Sequence, residues 1–326
     1  MASGSYREAM TSARPDVLII GAGVSGLTTA VRLAEAGIRV VVRAERRPER
    51  STSAAAGAIW DPIYANHPLA VRWSTRSYEV FCALVEAGRP EVRLVSGVEA
   101  SRKRIPAPGW AHELPGFREC DTAELPGGFA SGWRYHAPII DMPPYLVYLE
   151  RRLIAAGGVL ELGRVLSLGE DLGPLVVNCA GIGARELVPD PGVEPVRGQL
   201  VAVRNPGVRE FFAEHSDELD EMTYLLPQGD VLLLGGSADK GQFDPVPDPA
   251  VAAGIVARCA GIVPAVATAQ VLGHRTGIRP QRPEIRLEHE RLGGRDVVHN
   301  YGHNGAGVSF SWGCADHVLE LVTGLA

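Results

Sequence analysis

The amino-terminal part of the chain opens with an unbroken apolar run and continues into a segment with helical periodicity. Residues 17–20 read VLII, which is typical of a parallel strand buried on both faces. From Val24 onward, apolar side chains recur every three or four residues until Gly37, and a second apolar run covers residues 38–42. The pattern predicts a strand–helix–strand unit with a right-handed crossover, as found in α/β domains.

The rest of the chain alternates helical and strand patterns. Residues 68–88 begin with proline and end with glycine, which predicts a helix, and Asp141 is predicted to cap the start of another. Residues 174–187, PLVVNCAGIGAREL, predict a buried strand that runs into a glycine turn and a helix. Residues 222–236, MTYLLPQGDVLLLGG, predict a hairpin with its turn at PQGD.

Composition limits the classes of function. The 326 residues are 46% hydrophobic and 21% charged, as in a soluble globular protein with a substantial core. The net charge of −6 gives no reason to expect a nucleic-acid partner. The apolar stretch 17–31 is too short to cross a membrane. Five widely spaced cysteines predict free thiols in a reducing compartment, so we expect a cytoplasmic protein.

A glycine-rich turn follows the first predicted strand. Gly21, Gly23 and Gly26 fit the G-x-G-x-x-G pattern between a strand and a helix. They permit, in order, a tight turn, close approach of a pyrophosphate, and close packing of helix on strand. Glu45, 19 residues after Gly26, can accept hydrogen bonds from ribose hydroxyls. These features predict a dinucleotide site, without separating NAD from FAD; a turn used only for packing is the alternative.

A second glycine-rich segment lies near the carboxyl terminus. Gly302, Gly305 and Gly307 precede what the pattern predicts to be the start of a helix. Unpaired backbone N–H groups and the helix dipole make such a loop an anion-binding device. The chain therefore carries two such devices, at opposite ends of its sequence.

Six motifs occur in order along the chain. They are GAGVSGL near the start, AAGAIWDP at 55–62, VNCAGIGA at 177–184, RGQ at 197–199, GIRPQRPEIRLE at 277–288 and HNYGHNGAGVSFSWGCA at 299–315. Taken together, they resemble the motifs of D-amino-acid oxidases, from about Pro15 to the carboxyl terminus. The last two are the most specific, whereas glycine oxidases and other flavin amine oxidases share only the looser ones.

The resemblance implies an FAD enzyme in which both glycine loops hold one cofactor. The predicted fold is α/β: a Rossmann-like FAD-binding domain and an α+β substrate-binding domain with a mostly antiparallel sheet, their pieces interleaved in sequence. The FAD-binding domain is predicted to take residues 15–66, 141–195 and 276–326, and the substrate-binding domain residues 67–140 and 196–275. Residues 1–14 are predicted to form a flexible tail.

The motifs also imply specific cofactor and substrate contacts. Arg279 and Tyr224 match the family's substrate-carboxylate residues, and Gly305 matches the glycine whose carbonyl meets the substrate amine. Arg286 matches an arginine on the flavin side, and the Ser309 hydroxyl is expected to donate to the flavin. The predicted cofactor contacts are Gly21, Ala22, Gly23, Val24, Ser25, Gly26, Glu45, Arg46, Ser51, Thr52, Gly57, Ala58, Ile59, Val165, Ala180, Gly181, Asn304, Gly305, Ala306, Gly307, Val308 and Ser309.

At three positions the chain departs from mammalian relatives. Asp220 stands where they have a second active-site tyrosine on a lid loop, and Asn304 and Ala306 replace a glycine and a tyrosine. His299 and His303 are four residues apart, but no third ligand is in view, so we predict no metal site. We nominate no general acid or base.

The resemblance implies oxidative deamination of D-amino acids to 2-oxo acids, ammonia and hydrogen peroxide, by hydride transfer from the substrate Cα to flavin N5. We expect neutral, mainly apolar substrates and dioxygen as the second substrate; a homodimer is compatible with the sequence. Stereochemistry comes from the resemblance alone. The alternatives are a D-aspartate oxidase or a glycine oxidase-like enzyme, and more remotely an NAD-dependent dehydrogenase or a non-catalytic flavin-binding protein.

Overall fold

The computed structural model describes residues 16–62, 66–216 and 221–325. The predicted tail 1–14 and Asp220 lie outside the described residues. Within them the chain forms two β-sheets flanked by helices. The strands are β1 (Val17–Ile20), β2 (Val40–Ala44), β3 (Val92–Ser101), β4 (Arg118–Glu119), β5 (Ser131–Ile140), β6 (Val159–Leu162), β7 (Leu175–Asn178), β8 (Glu194–Arg204), β9 (Phe211–Glu214), β10 (Tyr224–Gln228), β11 (Val231–Gly235), β12 (Asp239–Lys240), β13 (Val271–Gln281), β14 (Arg286–Leu292) and β15 (Arg295–Tyr301).

The helices flank both sheets. The predicted helix over residues 68–88 is confirmed as α2. The second predicted strand begins two residues later than expected, at Val40 rather than residue 38. The α-helices are α1 (Val24–Glu35), α2 (Ala70–Glu86), α3 (Met142–Ala155), α4 (Ala184–Leu187), α5 (Pro249–Ala260) and α6 (Gly307–Gly324).

The first sheet has six strands in the order β14, β15, β7, β1, β2 and β6. All neighbours are parallel except β14 and β15, which form an antiparallel hairpin. Strand β1 lies between β2 and β7, and all four of its residues are buried, as the apolar run predicts. The chain leaves β1, β7 and β15 at the same edge of the sheet. The two glycine loops, after β1 and β15, therefore start at the same edge on either side of the loop after β7, where ligands of such sheets bind.

The second sheet has nine strands among the described residues and is mostly antiparallel. The hairpin predicted over residues 222–236 is confirmed: Tyr224 pairs with Gly235 and Gln228 with Val231. Strand β13 pairs with β8 along its length, from Val271 to Gln281. It therefore runs through the domain boundary proposed at residue 276, and the boundaries as a whole stay a prediction. The α/β fold class is confirmed.

Asp141 precedes α3 as predicted, but its side chain makes no capping hydrogen bond. Its carboxylate instead lies 3.7 Å from Nη2 of Arg275 on β13. Burial raises the pKa of Asp141, and Arg275 partly offsets this. An ion pair with the second sheet thus replaces the expected cap. None of the helices that the structure describes is long and apolar enough to span a bilayer.

Candidate cofactor and substrate site

Two positions of the first loop admit only glycine. Gly21 has a φ of +105°, and a Cβ there would stand 2.4 Å from the Cys179 carbonyl oxygen. A Cβ at Gly26 would stand 1.9 Å from the Gly21 carbonyl oxygen. Either contact is far inside van der Waals distance, so a side chain would push α1 away from the turn. These are the roles that the spacing predicts for the first and third glycines.

The amino end of α1 is open to an anion. Gly23 occupies its N-cap position without a side-chain cap, and the first turn contains no acidic residue. The amides of Ser25 and Gly26 belong to the first turn, where no preceding carbonyl is available to them. The Val24 N–H donates to Ser53 Oγ at 2.9 Å. Sequence reasoning missed Ser53, although it ends the hydroxyl-rich run 51–53.

The two hydroxyl residues predicted beside Ser53 have other contacts. Ser51 Oγ donates to the Pro48 carbonyl at 2.7 Å. The Thr52 methyl group packs close to Gly277 of β13, where a Cβ would stand 3.1 Å from it. Both still lie on the segment between β2 and the second sheet, alongside the first loop.

The acidic residue predicted for the ribose lies at the end of β2. Glu45 and Arg46 are both exposed there. Arg43, two residues earlier in β2, donates to Glu161 at 3.2 Å. The charge of Arg43 is thus directed to β6, and the Glu45 carboxylate remains accessible from solvent.

The second glycine loop, like the first, leads into a helix that has no side-chain cap. Asn304 and Gly305 both have left-handed backbones, with φ of +54° and +89°. Helix α6 then begins at Gly307 with no side-chain cap and no acid in its first turn. Ser309 is buried, and its Oγ accepts a hydrogen bond from the Asp61 N–H at 3.0 Å. Its own hydroxyl proton can still be donated, and donation to the flavin stays a prediction.

The amino ends of α1 and α6 adjoin each other. A Cβ at Gly307 would lie 3.9 Å from Ser25 Oγ and 3.7 Å from His303 Cβ. His303 is 5% exposed, and its Nε2 has no hydrogen-bond partner among the described residues. Burial lowers the pKa of His303 to about 4, so the imidazole is neutral. One extended anionic ligand can therefore reach both helix ends.

The remaining predicted cofactor residues lie on segments around these two loops. Ala180 and Gly181 lie in the loop after β7, and Gly181 has a φ of +56°. Ile59 forms an isolated bridge with Ile139 of β5. The other positions are Ala22, next to Gly21; Gly57 and Ala58, on the segment that joins the sheets; Val165, after β6; and Ala306 and Val308, beside the start of α6.

The donor set fits FAD. The dinucleotide turn, the uncapped amino ends of α1 and α6 and the orphaned His303 imidazole supply neutral or positive partners for phosphates and for a flavin ring. The loop residues Gly21, Gly23 and Gly26 keep the backbone accessible. None of these groups requires a metal.

Arg279 projects from β13 toward the second glycine loop. Its Nη1 donates to the Ser237 carbonyl at 2.8 Å, and a Cβ at Gly198 would stand 2.5 Å from its Cζ. A Cβ at Gly305 would stand 2.9 Å from Arg279 Cδ. Two glycines thus make room for the arginine, between the second sheet and the second glycine loop (residues 302–307), which we call the flavin loop from here on. Sequence reasoning found Arg279 and Gly305 but missed Gly198, which is part of the RGQ motif.

Tyr224 stands next to Arg279. A Cβ at Gly235 would lie 2.0 Å from Tyr224 Cζ, and one at Gly236 would lie 2.7 Å from its hydroxyl. Burial raises the pKa of Tyr224, and the nearby Arg279 guanidinium partly offsets the rise. The phenol is therefore protonated and able to donate. The structure brings together the three predicted substrate residues, Tyr224, Arg279 and Gly305.

His299, near the end of β15, and His303, in the second glycine loop, do not share a ligand position. His299 contacts Asn178 through Nδ1 and Glu290 through Nε2. No cluster of three or more His, Cys, Asp or Glu side chains suited to a metal occurs in residues 16–62, 66–216 and 221–325.

Comparison with known proteins identifies the family. The sequence model described as FAD dependent oxidoreductase matches residues 16–321. The chain belongs to this family. A D-amino-acid oxidase of Rubrobacter xylanophilus is 46% identical over 310 residues, 93% of this chain and 94% of that protein. A D-amino-acid oxidase of Streptomyces coelicolor is 46% identical over 313 residues, 94% of this chain and 97% of that protein.

The fold of this FAD dependent oxidoreductase is also similar to solved structures. The crystal structure of glycine oxidase from Geobacillus kaustophilus has a TM-score of 0.80 and 21% sequence identity, and covers 95% of each chain. At that identity the likeness concerns the fold alone. The resemblance read from the motifs is confirmed, and FAD is the cofactor of this oxidoreductase.

Proposed function

We propose that this oxidoreductase catalyses the oxidative deamination of D-amino acids with neutral, mainly apolar side chains. The products are 2-oxo acids, ammonia and hydrogen peroxide. The observation that carries the proposal is the pairing of Arg279 and Tyr224 beside the flavin loop at Gly305. The names of the two relatives that are 46% identical support the choice of D-amino acids.

The carboxylate of the substrate is held by Arg279 and Tyr224. A guanidinium offers two parallel N–H donors to a carboxylate, and the protonated phenol of Tyr224 adds a third. Ser237 fixes the guanidinium by accepting from Nη1 at 2.8 Å. These contacts orient the Cα–H bond relative to the flavin loop, which is the main contribution that the protein makes to such a reaction.

The amine of the substrate is assigned to the Gly305 carbonyl. The carbonyl accepts a hydrogen bond from an amine N–H and so orients the nitrogen; the lone pair of the neutral amine is left free to assist loss of the Cα hydride. FAD, when bound, supplies the two-electron acceptor at N5. No side chain has to remove a proton from Cα, so we assign none as general base.

The side chain of the substrate is expected to lie on the inner face of the second sheet. Glu99, Ala213 and Tyr224 are neighbours in register across three strands of that sheet. Glu99 is 1% exposed and accepts a hydrogen bond from Tyr135 at 2.6 Å; His215 Nδ1 lies 2.5 Å away. A D-aspartate oxidase needs a second cation for the side-chain carboxylate. These three positions present the Glu99 carboxylate, with His215 as its partner, in place of an arginine or lysine. They therefore favour a neutral substrate side chain over that of D-aspartate.

Three further features complete the proposal. Dioxygen accepts the electrons from the reduced enzyme and is converted to hydrogen peroxide. The five free cysteines accord with a cytoplasmic location. A homodimer is the oligomeric state that we propose to test. An oxygen electrode, cell fractionation and light scattering, respectively, test these three features.

The experiment that tests the proposal is the visible spectrum of the purified protein under anaerobic conditions, before and after addition of D-valine. L-valine and D-aspartate serve as comparison substrates, and the FAD-loaded Arg279→Ala variant as the matched control. Bleaching of the flavin band by D-valine alone, and only with Arg279 present, is the expected result. Bleaching by D-aspartate in preference to D-valine would make the enzyme a D-aspartate oxidase. A band that none of the three changes would refute the proposal.

A further inference from the structure

A chain of hydrogen bonds begins at the loop after β7. Asn178 ends that strand, and its Oδ1 accepts from the Ala180 N–H at 3.1 Å. Its Nδ2 is thereby turned toward His299 Nδ1, 3.3 Å away. His299 Nε2 lies 2.7 Å from Glu290 Oε1. The orientation of the amide therefore fixes the imidazole: Nδ1 accepts and Nε2 carries the proton. Burial lowers the pKa of His299, as a neutral ring requires.

The chain continues through Arg286 along the edge of the first sheet. Arg286 donates from Nη2 to Glu290 at 3.0 Å and from Nη1 to the Tyr301 hydroxyl at 2.8 Å. Tyr301 is 1% exposed and donates in turn to Asp190 Oδ2 at 2.8 Å. Each group thus has a defined donor or acceptor role, from Asn178 to Asp190.

At Asp190 the chain turns back to the second glycine loop. The side-chain Nε of Arg282 donates to Asp190 Oδ2 at 3.0 Å. The backbone N–H of Arg282 donates to Asn304 Oδ1 at 2.6 Å. The side chain of Arg282 also packs on Gly302, where a Cβ would stand 3.0 Å from Arg282 Cβ. Arg282 is therefore held by the loop on one side and by Asp190 on the other.

The hydrogen bond to Asn304 matters because of the backbone conformation there. Asn304 has a φ of +54°, in the left-handed region, and Gly305 follows with +89°. Outside glycine this conformation costs roughly 1–2 kcal/mol, although asparagine tolerates it better than most residues. A fixed acceptor bond to Arg282 stabilises it. The direction of the Gly305 carbonyl then depends on how firmly Arg282 is held.

Four residues of this hydrogen-bond network also form one wall of a cavity of about 780 Å³ at the edge of the first sheet. Asp190, Arg282, Arg286 and Glu290 all line it. Their side chains already bond to one another or to neighbouring carbonyl groups. These four charged side chains are consequently held within the hydrogen-bond network.

We propose that Asp190 is a positioning residue for the flavin loop, and acts through Arg282 and Asn304. It is the carboxylate on which Arg282 and Tyr301 converge. It links the segment after α4 to Arg282, whose backbone N–H donates to Asn304 in the loop after β15. Loss of its charge releases the Arg282 side chain. The backbone of Arg282, whose N–H donates to Asn304, is then less firmly held, and the turn at Asn304–Gly305 becomes mobile. The inference concerns FAD binding, which the family establishes; only its consequence for the substrate amine rests on the proposed function.

The test uses the full-length Asp190→Asn variant, which keeps the shape of the side chain and removes the charge. Asp16→Asn is the matched control, because Asp16 pairs with Arg39 at the opposite end of the same sheet. FAD is titrated into apoprotein by flavin fluorescence, and the visible circular dichroism of the bound flavin is recorded. Asp190→Asn is expected to weaken FAD binding by about tenfold and to change the dichroism, on the scale of one charged hydrogen bond. Asp16→Asn is expected to change neither.

A second variant keeps the proposal testable if Asp190→Asn does not fold. Asn304→Gly preserves the left-handed backbone and removes the acceptor for Arg282, so the same changes in FAD affinity and dichroism are expected. In the double variant the two effects should not add, because both act through Arg282. Fully additive losses would overturn the proposal, as would wild-type FAD affinity and dichroism in either single variant. Neither readout uses a substrate, so a failure here is distinct from a failure of the proposed function.

Discussion

The guanidinium of Arg279 occupies the space that a side chain at Gly198 would fill. A Cβ at Gly198 would stand 2.5 Å from Arg279 Cζ and Nη2 and 2.7 Å from Nη1. Gly198 lies in strand β8 and does not have a left-handed backbone, so alanine can adopt its conformation. Glycine is therefore required at this position by the arginine and not by the chain geometry.

Gly198→Ala is expected to displace the end of Arg279 while leaving the fold intact. An arginine side chain can move aside, so the free energy of unfolding should change little. Loss of the aligned carboxylate contact should lower kcat/KM for D-valine by roughly tenfold or more, at about 1.4 kcal/mol per factor of ten. Steady-state kinetics and urea unfolding measure the two effects. Gly254→Ala in α5, where a Cβ meets no atom closer than 3.6 Å, is the control. Unchanged kinetics in Gly198→Ala would contradict the assignment of Arg279.

Arg279→Lys and Arg279→Ala separate charge from geometry. Lysine keeps the positive charge but cannot present two parallel donors, so it should recover only part of the activity. Alanine leaves the substrate carboxylate without its partner and should cost about 3 kcal/mol in kcat/KM, more than a hundredfold. Arg151→Ala, at an exposed position on α3, is the control. Wild-type activity in the lysine variant would show that the planar fork is not used, and equal activity in the lysine and alanine variants would show that the charge alone contributes nothing.

The first sheet could be predicted from the sequence because its signals are local. The apolar run of β1 and the glycine spacing of the following turn lie within ten residues of each other, and each constrains the other. Arg279 and Gly305 were found from their motifs. Their proximity was implied only by the resemblance, since they belong to segments that the sequence alone cannot place side by side.

Residues whose role depends on a distant partner could not be predicted. Ser53 accepts from Val24, 29 positions earlier in the chain, and Asp190 receives Arg282, 92 positions later. Nothing in the local pattern distinguishes such a serine or aspartate from one on the surface. Asp141 shows the converse: the local pattern predicts a cap, and a distant arginine draws the carboxylate away.

Ser53→Ala is expected to weaken FAD binding. The Val24 N–H lies in the first turn of α1, and Ser53 Oγ is its acceptor at 2.9 Å. Without it the amide is unpaired and the segment that carries Ser51 and Thr52 is less firmly held to the first loop. The dissociation constant of FAD should rise by roughly two- to tenfold, the scale of one neutral hydrogen bond. Fluorescence titration measures it, with Ser96→Ala in the second sheet as the control. A dissociation constant equal to that of the wild type would remove Ser53 from the site.

Stability is expected to fall as the pH drops below about 6.5, with His303 as one cause. Burial holds the pKa of His303 at about 4, while the unfolded chain titrates near the ordinary value of 6.5. Between these values the unfolded state takes up a proton that the folded state does not. The contribution of His303 is therefore complete above pH 6.5 and is lost as the pH falls toward 4. At pH 5 the loss should be about 2 kcal/mol.

His303→Gln removes the titrating group and should flatten this part of the profile. The free energy of unfolding of the FAD-free chain, measured in urea at pH 7.5 and pH 5, gives the difference for each protein. Other buried histidines contribute equally to both proteins, so the comparison isolates His303. If the wild type and His303→Gln lose the same free energy between the two pH values, the imidazole is not held neutral by burial.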